Sequence, residues 1–180
     1  MATYIALLRG INVSGQKQIK MADLKVCLEE AGLQKVRTYI QSGNVVFEHE
    51  SFEMQVLTNI IEQTILERFG FEVHVILTSP SELETILTGN PFLNGSQEDT
   101  NLLYFTFLSE EPAQANIEAL SKYDYSPEAY SINGKLLYFF AANGYGKAKM
   151  NNNFIESKLK LKATTRNWNT INKLVEIAQQ

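Results

Sequence analysis

Cysteine is almost missing from this chain: Cys27 is the single one among 180 residues, so no intrachain disulfide framework can form. Its neighbours Leu24, Leu28 and Ala31 follow helical spacing, which suits a small buried hydrophobe better than a nucleophile. Proline and glycine are also sparse, four and ten residues, and no low-complexity tract is present, which argues against a disordered or linker-like chain. Long apolar runs are lacking too. The longest, Leu136 to Ala142, falls far short of the roughly 18 residues a membrane helix needs. The first residues enter a strand-like run without the regions of a secretion signal, so a cytoplasmic protein with no membrane contact is expected.

Catalytic signatures are equally thin. Neither His49 nor His74 has a cysteine, histidine or carboxylate at a ligand spacing, so no metal and no cofactor are expected. There is no Gly-x-Ser-x-Gly elbow, and no Ser, Cys or Thr comes with a recognisable base. No catalytic constellation can be identified.

What the chain does have is charge sorted by position. Residues 48–134 hold fifteen acidic side chains against two basic ones, Arg68 and Lys122, while the flanks hold fourteen basic against five acidic. The net charge of −4 conceals this. Basic flanks that fold together would attract an anionic ligand, with nucleic acid or a nucleotide the favoured guess. Scattered lysines that merely keep a face solvated are the plain alternative.

The apolar pattern predicts an α+β fold. A strand from Thr3 to Arg9 precedes a helix with Met21, Leu24, Leu28 and Ala31 on one stripe, stopped at Gly32. Val36–Gln41 and Asn44–Glu48 flank Ser42-Gly43 as a hairpin, a helix runs from about Phe52 to Phe69, and Phe71–Leu77 is a fourth strand. This βαββαβ order predicts a ferredoxin-like split βαβ module over 1–78. Ser79, Pro80 and Glu82 form a capping box that opens a short helix, and Thr88-Gly-Asn-Pro with Asn94-Gly-Ser completes a linker over 79–100. The order restarts in 101–180 as a degenerate βαββα copy, with strand Leu102–Leu108, a helix after Pro112, strands Ala129–Ile132 and Lys135–Ala141, a helical region Asn151–Leu161 and a C-terminal helix.

Three polar segments and the hairpin are candidate ligand contacts. After the first strand, Arg9, Gly10, Asn12, Gly15 and Lys17 form a glycine-bearing loop able to aim amides at an anion. Gln16 stands where a phosphate-loop lysine belongs, which argues against nucleotide hydrolysis. Lys147 and Lys149 sit in Gly144-Tyr-Gly-Lys-Ala-Lys, a segment that also suits phosphate. Arg166, Asn167 and Trp168 enter the last helix, where Asn167 can cap it and Trp168 can stack on a base. Gln41, Ser42 and Asn44 supply hydrogen-bonding groups at the hairpin, although turn chemistry alone explains them. Two other classes fit: an enzyme acting on a small phosphorylated or carboxylated metabolite, and an interaction module whose acidic middle docks a protein partner.

The stretches LLRGINVSG from Leu7, YIQSGNVVF from Tyr39 and ATTRNWNT from Ala163 together resemble the bacterial domain-of-unknown-function family sixteen ninety-seven. The resemblance implies a compact α+β protein of duplicated ferredoxin-like organisation and no established activity. It marks Arg9, Gly10, Asn12, Ser42, Gly43, Asn44, Arg166, Asn167 and Trp168 as motif positions without a defined role. The family usually has Gly-Gly where this chain has Ser14-Gly15.

Overall fold

The computed structural model describes residues 1–50, 53–93 and 99–180. The expected helix start at Phe52 and the Asn94-Gly-Ser turn lie outside them. The chain is α+β, with two four-stranded antiparallel sheets and, among the described residues, six helices. It divides into two units, Met1–Thr85 with Asn172–Gln180, and Ile86–Ile171.

The first unit contains β1 (Ala2–Leu8), α1 (Met21–Glu30), β2 (Gln34–Tyr39), β3 (Asn44–His49), α2 (Met54–Phe69), β4 (Val75–Thr78) and the start of α3 (Pro80–Thr88). Its sheet order is β2-β3-β1-β4. Period-2 alternation puts Tyr4, Ala6 and Leu8 of β1 on one face with Val45 and Phe47 of β3, and Leu24, Cys27 and Leu28 of α1 and Leu57, Ile61 and Ile65 of α2 close over it. Each leucine or isoleucine buried in that layer contributes on the order of 2 kcal/mol. Gly70, at φ 79, ends α2 in the left-handed conformation. The capping box at α3 is formed: the Ser79 hydroxyl accepts from the Glu82 N–H, and the Glu82 carboxylate accepts from the Ser79 N–H.

Two expectations in this unit need correction. β4 begins at Val75 rather than Phe71, because β1 runs out at Leu8, opposite Val75, and Gly10 at φ 70 turns the chain away. The preceding residues therefore have no strand to pair with. The hairpin turn is longer than Ser42-Gly43: β2 stops at Tyr39, and Ile40 to Gly43 make the bend with φ 50 at Ile40 and φ 82 at Gly43. The buried Asn44 amide donates to the Tyr39 carbonyl and the Ser42 hydroxyl, holding that bend closed.

The second unit repeats the topology with β5 (Leu103–Leu108), α4 (Gln114–Ser121), β6 (Ala129–Asn133), β7 (Leu136–Phe140), α5 (Asn152–Leu159) and β8 (Ala163–Asn167), in the order β6-β7-β5-β8. The expected copy lacked its last strand, and β8 supplies it. The five residues Ala163 to Asn167, at the expected entrance to the last helix, pair with Tyr104–Leu108. They were hidden because Thr164 and Arg166 are buried polar residues, so no apolar alternation marks the strand. A core of Leu108, Leu120, Leu137, Phe139, Ile155 and Leu159 joins this sheet to α4 and α5. Helix α6 (Trp168–Ala178) follows β8 directly.

Candidate ligand-binding site

The loop between β1 and α1 is held in a high-energy shape. Gly10, Asn12, Ser14, Gly15 and Lys17 all have positive φ, from 47 to 74, and three of these are not glycine. Left-handed backbone costs such residues about 1 kcal/mol each, so tertiary bonds must hold it. The Asn12 N–H donates to the Lys17 carbonyl and the Gln16 N–H to that of Val13. The Asn12 side chain accepts from the Ile19 N–H at 2.8 Å and donates to the carbonyls of Ile19 and Gln41, each at 2.9 Å. Lys17 extends to the Glu72 carbonyl at 2.6 Å. Ser14, at φ 50, stands where glycine would adopt this conformation without penalty.

This loop walls a cleft of about 740 Å³. Asn12, Gly15, Gln18 and Lys20 line it from the loop, Met21, Ala22 and Asp23 from the first turn of α1, Gln41 from the hairpin and Phe69 from the end of α2. Lys20 occupies the N-cap of α1, and its side chain makes no capping hydrogen bond. The start of α1 therefore brings backbone N–H groups and the positive end of the helix dipole to the cleft. Of the residues expected from sequence, Asn12, Gly15 and Gln41 meet here. Gly10, Lys17, Ser42 and Asn44 shape the surrounding backbone, and the partly buried Arg9 pairs through its N–H with the His74 carbonyl. Sequence reasoning missed Gln18, Lys20, Asp23 and Phe69. The signal that pointed to Lys20 was a helix start with none of the usual Ser, Thr, Asp or Asn.

The remaining candidates belong to the second unit. Arg166, 6% exposed, donates to the Thr164 hydroxyl and the Thr165 carbonyl. The Trp168 ring stacks on Phe105 with centroids 5.8 Å apart. Asn167 caps α6 as expected, its side-chain oxygen accepting from the Thr170 N–H at 2.8 Å. Lys147 is exposed, and Lys149 lies over the rings of Tyr123 and Tyr125. Among the described residues no group of three or more His, Cys, Asp or Glu is placed to hold a metal ion, and no helix is long and apolar enough to cross a membrane.

Comparison with known proteins gives a family and a fold. Residues 1–138 match the family model described as "Protein of unknown function (DUF1697)". The solved structure of the conserved bacterial protein SP0830 from Streptococcus pneumoniae is similar at 26% identity and a TM-score of 0.76, over 100% of this chain and 99% of that one. No curated protein matches.

Proposed function

The chain is a member of the DUF1697 family, and from that premise we propose that its first unit is a binding module for a small anionic ligand, a nucleotide in the favoured case. The observation that carries this reading is the cleft at the uncapped start of α1, where Lys20 and Gly15 stand beside the first-turn residues. Amides at a helix start favour phosphate or carboxylate. Asp23 and Gln41 add acceptors for sugar hydroxyls or base N–H groups, and Phe69 adds an apolar wall. A carboxylate in the lining disfavours a bare polyanion, so a mononucleotide fits better than a polymer. The same reading takes each unit as a ferredoxin-like plait, supported by the matching strand orders, and the protein as cytoplasmic.

Thermal shift and calorimetry against phosphate, nucleoside monophosphates and small carboxylates test it. A true ligand at 100-fold its Kd adds about 2.7 kcal/mol of stability, a rise of several degrees in Tm. Lys20→Ala should weaken that ligand roughly tenfold. The reading fails if none of these ligands shifts the protein, or if the ligand that does is indifferent to Lys20→Ala.

A further inference from the structure

In the second unit, three stretches of chain bring two lysines to one exposed aromatic ring. Tyr123, in the loop after α4, is 38% exposed. Its ring is fixed edge-on against Phe154 of α5 at 5.7 Å and 82°. Behind it the buried Tyr125 packs edge-on against Tyr130 at 5.4 Å. Lys158, one turn beyond Phe154 on α5, places its ammonium 4.6 Å from the Tyr123 ring centre and donates to the Tyr123 hydroxyl at 2.5 Å. Lys149, following the turn at Tyr145–Lys147, places its ammonium 5.3 Å from the same centre.

Neither ammonium is paired with a carboxylate within 4.0 Å among the described residues. Asp124, beside Tyr123, uses a carboxylate oxygen to accept from the Ser126 N–H. Contact with the ring offsets only part of the repulsion between two ammonium groups at a solvent-exposed site. The hydrogen bond from Lys158, followed by the charges of Lys158 and Lys149, draws the Tyr123 phenol below its ordinary range. Cations without a carboxylate partner, resting on an exposed ring, match a phosphodiester chain with unstacked bases: the lysines move off the ring onto phosphates, and a base takes the ring face they cover. An acidic peptide would match the lysines but leave the ring without a role, and a duplex would keep its bases from the ring.

We propose that this face of the second unit is a docking surface for single-stranded nucleic acid, with Lys149 and Lys158 as phosphate contacts and Tyr123 as the stacking platform. It is independent of the nucleotide cleft in the first unit.

The test is fluorescence anisotropy of the full chain with a labelled oligothymidylate of roughly 12 nucleotides, beside a duplex of equal length. Wild type should bind the single strand more tightly than the duplex. Replacing both lysines by Lys149→Gln and Lys158→Gln, which keeps their aliphatic stems, should make the log–log salt slope shallower by about 1.4 between about 50 and about 200 mM salt. Tyr123→Ala should weaken single-strand binding about fivefold or more, and Tyr123→Phe should hold it near wild type. Thermal melts of each variant separate lost binding from lost folding. The proposal is overturned by no binding at about 50 mM salt, by a salt slope that ignores the double substitution, or by equal binding of Tyr123→Ala and wild type. Displacement of the oligonucleotide by a saturating mononucleotide also overturns it, since that would move the polymer to the cleft. Failure of every mononucleotide to bind would sink the cleft reading alone.

Discussion

The side-chain amide of Asn12 donates to the main-chain carbonyl of Gln41 at 2.9 Å, tying the loop after β1 to the β2–β3 turn across 29 positions of sequence. The same side chain brackets Ile19, accepting from its N–H and donating to its carbonyl. Asn12→Ala removes these bonds and places alanine at φ 55, so a loss of about 2–4 kcal/mol is expected. Asn12→Gly restores the backbone freedom without the bonds and should fall between alanine and wild type. Urea denaturation midpoints decide this. If glycine is no better than alanine, backbone strain is not part of the cost.

Gly43 offers a sharper steric case. A Cβ there would lie 2.6 Å from Ile11 Cδ1 and 2.8 Å from Leu8 Cβ, at φ 82. The Leu8 Cβ belongs to a sheet strand and cannot swing aside, so Gly43→Ala combines left-handed strain with overpacking and should cost about 2–4 kcal/mol. Gly134→Ala is the control, with positive φ and open space around the added methyl. It should cost about 1 kcal/mol. Equal losses in denaturation of the two variants would refute the steric term.

Much of the fold was legible because its elements carry their own punctuation. The stripe Leu57, Ile61, Ile65 with Gly70 after it, and the Ser79–Glu82 box, are local signals with local causes. β8 was not legible. Ala163, Thr164, Thr165, Arg166 and Asn167 read as a polar entrance to α6, and only pairing with β5 reveals a strand. The cleft was half visible: Gly15 and Asn12 announced an unusual loop, but Phe69 joins it through tertiary folding. The Tyr123 platform was invisible for the same reason, since Tyr123 and Lys158 are 35 positions apart and no local pattern links them.

Thr106 and Thr165 pair across β5 and β8 through their hydroxyls at 2.8 Å, and Thr165 donates onward to Asn152 at 2.6 Å. Thr106 is fully buried, so its hydroxyl depends on Thr165. Thr165→Val strands it, and a loss of about 1–3 kcal/mol is expected. Thr106→Val leaves Thr165 bonded to Asn152 and should cost less. The double variant removes the stranded group, so its loss should be smaller than the two single losses combined. Strict additivity in a double-mutant cycle would show that the hydroxyls do not act as a chain.

Tyr125 links packing to pH. Its hydroxyl donates to the Leu120 carbonyl at 2.8 Å, and burial, then the neighbouring Tyr130 and Tyr123, push the phenol up to about 12 from an ordinary 10.0. In the unfolded chain it ionises near the ordinary value, so between about pH 10 and about pH 12 the folded state holds a proton that the unfolded state has released. The contribution is therefore whole below the ordinary value and disappears as pH climbs through the raised one. Tyr125→Phe should lose about 1 kcal/mol near neutrality from the missing hydrogen bond, and then decline less steeply in alkali. Burial also raises Tyr130 and Tyr138, and both remain in the variant, so the decline shrinks without vanishing. Denaturation series at about pH 8 and about pH 11 should find the gap between wild type and variant narrowing as pH rises. A gap that stays constant would mean that Tyr125 ionises alike in both states, and its burial would carry no alkaline penalty.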